Sequence, residues 1–507
     1  MVHEKKNSMI VNRTVYKLSM TTPDFPAWAP GFSSAFRRLG AMTQANLHQF
    51  EAIFDRWVPG HLLAQQDGGP HSRRRRWYLR LVFWTFLWQI AQAGASCREA
   101  IRQAQCLCRL RFHKVPAAAT SPYCQARGQL PLECLEAVQR AVVHESEEAL
   151  CRKDLWCGHH VRAIDGTTVT LEDTQPNQKA YPQQSAQKPG CGFPILRLVA
   201  LFSVATGMMC GWATGTWHQH EMMLVSLLWE YLRAGEVLLG DRGFCSWGLL
   251  AQCQQRGIHA VLRARGRRRC DFRNGQRISP DERWVRWSKP RQPSASIPLE
   301  EWNALPQELT LRLVRCRLKV RGFRTTQILL VTTLLDSGKY PPLALGQLYL
   351  RRWDMELSLR HLKTTLQMEH LSTKTPATLM RELHMHLLVH NLVRRVMLQA
   401  ARVHGVALSR ISFAGTLASC RRFGEALLQA RSRHQRHQLL LELWRVIAVD
   451  TVPWRPGRRE PRALKRRPKP YPWLTAHRSV YREVPHKNRY WNGGPNRPPA
   501  SKTMALN

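Results

Sequence analysis

Residues 161–171 read VRAIDGTTVTL, and here the character of the chain changes. Before it, residues 77–153 read as helices, among them SCREAIRQAQCL from Ser96 and PLECLEAVQRAVVHESEEAL from Pro131. From Val161 the run is short, β-branched and stopped by glycine, which predicts a strand with Asp165 near its end. Downstream, ILRLVALFSVATGMMCGWATGT (195–216) predicts a hairpin turning at Thr206-Gly207. HEMMLVSLLWEYLRA (220–234) has the period of an amphipathic helix, and EVLLGDRGF (236–244) reads as a strand ending at Asp241. SWGLLAQCQQRG (246–257) and HAVLRARG (259–266) follow as helix and strand. Strands alternating with helices in this order predict a mixed α/β unit.

Residues 265–335 differ from that unit. They hold RGRRRC, Trp284, Trp287, Trp302, several prolines and the β-like runs LTLRLVRCRLKV and TTQILLVTTLL. This predicts an inserted, mostly β module ending near Asp336, with helices returning at 343–370 and 375–404. From Pro453 the chain turns Pro- and Arg-rich (PWRPGRREPRALKRRPKPYPW), a composition expected to stay extended until it binds a partner.

The 507 residues hold 76 Lys and Arg against 35 Asp and Glu, a formal net charge of +41. So basic a chain is expected to meet a polyanion, with nucleic acid ahead of a membrane surface. The run SRRRRW at 72–77 is a candidate phosphate contact, or a solvated charge run. The most apolar segment, from Leu79, is too short and interrupted to span a bilayer, and the first residues lack a signal-peptide core. A cytoplasmic location is expected. Fourteen cysteines are scattered without paired knuckles; CLC (106–108) and CRKDLWCGHH (151–160) come nearest, and free thiols are the better reading than zinc.

Residues 348–363, LYLRRWDMELSLRHLK, carry two polar strips. At about 100° per residue, Tyr349, Arg352, Glu356 and Lys363 fall within roughly 60° of arc, with Arg360 close by. Arg351, Asp354, Ser358 and His361 make a second strip on the opposite face. One strip is expected to meet water and the other to line a cleft. An ordinary i,i+4 Arg–Glu surface pair is the bland alternative. Asp165 and Asp241 each stand where an apolar strand runs out, and the ends of neighbouring strands can converge. With Glu356 they would offer three hard oxygen ligands suited to Mg²⁺ or Mn²⁺. Alternatively, each Asp is a turn residue before glycine.

Tyr349, Arg352, Glu356 and Lys363 match the signature Y-x2-R-x3-E-x6-K at every interval. With IDGTTV (164–169), GDRGF (240–244), SCREA, ARGQLP, RRW and KRRPKPYPWL, the chain resembles the DDE transposases of bacterial insertion sequences over roughly 70–475. The resemblance implies an RNase H-like α/β catalytic core interrupted by a β-rich insertion, a helical N-terminal region and a basic Pro-rich tail. The expected divisions are 1–155, mainly helical and DNA-binding; 156–264 and 336–425, the two parts of the core; 265–335, the insertion; and 426–507, a helix and the tail. It implies Asp165, Asp241 and Glu356 as catalytic ligands of two Mg²⁺ ions, replaceable by Mn²⁺. Tyr349, Arg352 and Lys363 would contact phosphates near the element's end, with Arg242 and Arg263 as further DNA contacts. In cut-and-paste relatives water nicks one strand, the freed 3′-OH forms and then leaves a hairpin, and the 3′ ends join target DNA. A Trp of the insertion stacks on an extruded base there; Trp284, Trp287 and Trp302 are candidates, Trp287 preferred. The expected partners are double-stranded DNA (terminal inverted repeats and target) and a second copy of the chain, at the bacterial nucleoid. A DNA-binding or nuclease derivative that no longer transposes is the alternative.

Overall fold

The computed structural model describes residues 49–64, 76–110, 114–264, 272–317, 327–453 and 477. The first 48 residues, most of SRRRRW, RGRRRC and the tail from Trp454 lie outside the described residues, apart from His477.

After short helical turns at Glu51–Phe54 and Gly60–Leu63 come four longer helices: α1 (Leu79–Ala91), α2 (Cys97–Leu110), α3 (Thr120–Gly128) and α4 (Leu132–Glu148). The strand expected at VRAIDGTTVTL is β1 (Val161–Leu171), and the hairpin is β2 (Ile195–Ser203) with β3 (Met209–Thr216). Gly207 takes φ 69° in its turn, a conformation that favours glycine. β4 (Val237–Gly240), α5 (Trp247–Gln255) and β5 (His259–Arg263) follow, α5 supplying the crossover that a parallel pair requires. Then come β6 (Gln276–Ser279), β7 (Glu282–Ser288), β8 (Glu308–Arg317) and β9 (Gln327–Thr332). The described elements close with α6 (Pro342–Leu350), α7 (Trp353–Arg360), β10 (His370–Leu371), α8 (Pro376–His404), α9 (Phe413–Gln429) and α10 (Arg433–Val449).

The described strands form one mixed sheet in the order β3-β2-β1-β4-β5-β9-β8-β7-β6, with β10 also pairing to β1. β1, β4 and β5 run parallel; β2 is antiparallel to β1, and β3, antiparallel to β2, runs in the direction of β1 again. β9 pairs antiparallel with β5, so the β-rich segment prolongs the central sheet edge to edge.

Each face of the sheet has its own apolar cluster. Ala163, Val169 and Leu171 of β1 pack with α1, α4, α8, α9 and α10. Ile164 faces the other way, with α5, Leu224, Leu228 and the inner residues of β8. This alternation is the period-2 pattern of a strand covered on both sides. α8 is buried on most of its circumference; Thr375 caps its start, Pro376 occupies the first turn, and Gly405 ends it at φ 65°.

Two helix expectations need correction. Residues 220–234 form one α-turn (Glu221–Leu224) and then a 3₁₀ stretch, Val225–Tyr231. A three-residue period lines up Val225, Leu228 and Tyr231, and Tyr231 lies against Gly211 where a Cβ would clash. Residues 348–363 are not one regular helix. The turn at Arg351–Arg352 is tightened by i→i+3 bonds, Arg352 N–H to Tyr349 C=O and Met355 N–H to Arg352 C=O, and His361–Thr365 widens into a π turn. The second polar strip also fails to face water throughout. Ser358 is buried, and the His361 ring stacks on Phe413 at 4.5 Å. Among the described residues no helix is long and apolar enough to cross a membrane.

Candidate active site

β1 and β4 pair in parallel from Val161↔Val237 to Ile164↔Gly240, so Asp165 and Asp241 come next in line on neighbouring strands. Asp165 lies in the middle of β1, opposite Ala200 of β2, and not near the strand's end as expected, whereas Asp241 follows the last residue of β4 and opens a turn. Asp165 Oδ1 accepts the Gly166 N–H at 2.9 Å, and Asp241 Oδ1 accepts the Gly243 N–H at 2.7 Å. The turn reading holds for Asp241 alone, and both bonds fix the carboxylates on their backbones.

α7 brings the third carboxylate. Asp165, Asp241, Arg352, Glu356, Arg360 and Lys363 line one cavity of about 430 Å³, together with Gly166, Leu359, Thr364 and Glu369. Arg352 stands among the acids, donating from Nη2 to Glu356 Oε1 at 2.6 Å and placing Nη1 3.9 Å from Asp165 Oδ2. Tyr349 is buried beneath it, 5.8 Å from ring centre to guanidinium. Tyr349 therefore supports the cavity from behind without lining it.

Burial pushes the Asp165 carboxyl up to about 6, helped by the nearby Asp241 and Glu356. The Gly166 N–H and Arg352 oppose that rise without cancelling it. Burial works against the charge on Arg352 too, yet its bond to Glu356 and its neighbours Tyr349 and Asp165 leave it more firmly protonated than free arginine.

Arg242 is exposed immediately after Asp241, and Arg263 ends β5 in the electrostatic neighbourhood of Tyr349. The tryptophans lie elsewhere. Trp287 lines a second cavity of about 300 Å³ with Trp247 and Trp302, and its carbonyl accepts the Trp247 indole N–H at 2.9 Å. Trp302 is buried, whereas Trp284 is exposed and donates its indole N–H to Leu335 C=O at 3.3 Å. Sequence reasoning missed Glu369, which reaches the cavity from the turn after the π segment and carries no local motif.

As the side chains stand, no group of three His, Cys, Asp or Glu among the described residues is drawn close enough to hold a metal ion. The donor set nevertheless fits a hard cation. The cavity offers carboxylate oxygens and neither histidine nor cysteine, and a guanidinium supplies the positive charge between two of the acids.

Residues 156–392 match the family model described as the transposase DDE domain. The chain is also 26% identical over 410 residues to the transposase InsG for insertion sequence element IS4 of Escherichia coli (strain K12), spanning 80% of this chain and 89% of that protein. These two matches support reading the chain as a DDE transposase of the insertion-sequence type. A second E. coli K12 relative, the putative transposase InsZ, is 26% identical over 142 residues, 28% of this chain and 48% of that protein. The piggyBac transposase in a synaptic complex with hairpin DNA overlays 79% of this chain and 84% of its own at 10% identity and a TM-score of 0.38, too loose a likeness to argue from.

Proposed function

We propose that this protein cuts DNA at the ends of its element and joins the freed 3′-OH to target DNA, using Asp165, Asp241 and Glu356 as ligands of two divalent cations. The observation that carries this is the single cavity in which Asp165 from the middle of β1 and Asp241 just after β4 meet a helix-borne glutamate beside Arg352, Arg360 and Lys363. Acids alone would repel a phosphodiester, and bases alone would bind it without chemistry. The strand order β3-β2-β1-β4-β5, three antiparallel followed by two parallel, supports the reading of an RNase H-like core.

Bound Mg²⁺ or Mn²⁺ would supply Lewis-acid activation of water or a 3′-OH and stabilisation of the leaving oxygen. The protein's part is to hold and orient. Asp165 and Asp241 are fixed by their backbone N–H bonds, while Glu356 is held by Arg352. Lys363 and Arg360 present cations at the same cavity and would grip phosphates flanking the cut. Arg352 has a double role, neutralising the acids without substrate and turning to a phosphate when DNA arrives. Excision by a cut-and-paste route, with two copies on paired ends, is the arrangement that the resemblance to relatives implies.

The test is a reaction of purified protein, Mg²⁺ and labelled DNA carrying the element's own ends, with wild type and Glu356→Gln side by side on a denaturing gel. Nicks or hairpins at the boundary, then joined product, absent in the variant, are expected. Stable binding without wild-type cleavage would instead mark a DNA-binding derivative.

A further inference from the structure

The segments carrying the three carboxylates are tied together at the opposite end of the sheet. His159 and Gly235 each lie six residues before their aspartate, Asp165 and Asp241. The His159 ring joins them, with Nδ1 2.6 Å from Gly235 C=O and Nε2 2.8 Å from the Tyr340 hydroxyl. A carbonyl only accepts, so Nδ1 carries the proton and Nε2 takes the hydroxyl hydrogen of Tyr340. Tyr340 opens the approach to α6, along which the chain runs on to Glu356. Its ring stacks on Trp156 at 5.7 Å.

Arg312 of β8 holds the other side of this joint. It is fully buried, and its Nη1 donates to the carbonyls of Tyr340 (2.9 Å), Asp336 (3.2 Å) and Leu334 (3.3 Å). Its Nη2 pairs with Glu282 of β7. Burying a guanidinium is costly unless its charge is paired and its protons are largely met; its Nε lacks a partner here, so the carbonyls at Nη1 and the carboxylate at Nη2 carry that role and favour one arrangement around it.

The register of β1 against β4 is set by their ladder, but no ladder places Glu356. Its segment is anchored downstream where β10 pairs with β1, and the tie at Tyr340 is its upstream counterpart. We propose that Arg312, Tyr340 and His159 form a positioning network that sets where the Glu356 segment starts relative to β1 and β4, and hence how the three carboxylates are spaced as metal ligands. It rests on the metal-ligand reading given above. None of the three lines the carboxylate cavity, and His159 lies about 20 Å from Asp165 along the strand direction, so they act through the backbone.

Tyr340→Phe deletes one hydroxyl and leaves the ring on Trp156, and His159→Phe removes the joint itself. Mn²⁺ is titrated by electron paramagnetic resonance into the full chain with its DNA ends bound, for wild type, both variants and Glu356→Gln. Both network variants are expected to keep DNA-end affinity and bind Mn²⁺ about three- to tenfold more weakly, below the loss from a group touching a ligand. Raised Mg²⁺ should restore their cleavage. Wild-type Mn²⁺ affinity in both, or slowed cleavage that excess Mg²⁺ leaves slow, would overturn the proposal and make the network a fold element only. Loss of Mn²⁺ in Glu356→Gln beside wild-type affinity in the other two defeats the positioning role alone. Wild-type affinity in Glu356→Gln defeats the carboxylate reading as well.

Discussion

Arg352 and Glu356 form an ion pair at 2.6 Å, one helical turn apart, and the same guanidinium reaches toward Asp165 at 3.9 Å. Between exposed partners such a pair contributes little, but Arg352 is mostly buried and sits among acids that must later take cations. Arginine and metal therefore compete for the same carboxylate oxygens. Arg352→Gln should raise Mn²⁺ affinity about tenfold without DNA, given about 1.5 kcal/mol for a hydrogen bond to a charged group. It should also weaken binding of the element's ends. An unchanged Mn²⁺ titration would show that the arginine does not compete.

Lys363 enters the cavity from the π turn, which shifts its phase from that of a regular helix. As a point charge on a flexible stem it suits a phosphate more than a base edge. Lys363→Ala should weaken binding of cleaved ends regardless of sequence and lower the salt-dependence slope by about 0.9. The measurement is end affinity from 50 to 300 mM salt by about six points on a log–log plot. A parallel line of unchanged slope would remove Lys363 from the phosphate contacts.

Local pattern was enough to place β1, the β2–β3 hairpin and β4, because alternation and glycine punctuation are properties of neighbouring residues. It also marked Arg352, Glu356 and Lys363 as one stripe, since i,i+4 and i,i+7 spacing tolerates small changes in helical twist. What escaped depends on distant partners. The i→i+3 tightening at Arg351–Arg352 drops Tyr349 into the core, and nothing in RRWD signals it. β9 joins β5 across more than sixty residues, so the insertion's continuity with the central sheet has no local signature. Arg312 looks like any arginine of a basic chain, and only the fold shows it buried against three carbonyls.

The Arg312–Glu282 pair makes a stability prediction separate from metal binding. Both side chains are almost inaccessible, so removing the acid leaves a buried guanidinium without its counter-charge. Glu282→Leu should cost about 3–5 kcal/mol, whereas the double replacement Glu282→Leu with Arg312→Met should recover part of that loss. Chemical denaturation of the three proteins reads both quantities. A single variant as stable as wild type would mean that the backbone carbonyls suffice to hold the guanidinium.

Acid should unfold this protein through its buried histidines. Burial depresses His361 and His384 to about 4 and His386 to about 3, and His390 falls well below its usual value. Positive neighbours, Arg394 beside His361 and His390 among them, push the same way. In the unfolded chain each would titrate near 6.5, so the unfolded state binds more protons once pH falls below that value. Their stability contribution is complete above pH 6.5 and is lost as pH falls, down to about 4 for His361 and His384 and about 3 for His386, at roughly 1.4 kcal/mol per pH unit for each. Asp165, raised to about 6, and the buried Glu382, also raised by burial, run the other way and favour the folded state as pH falls, but they are two groups against four. Thermal melts from pH 8 to 5 should therefore show a steep fall beginning near pH 6.5. His386→Phe, at a fully enclosed position, should make that fall shallower by about one proton. A melting temperature flat to pH 5 would show that these imidazoles are protonated in the folded state.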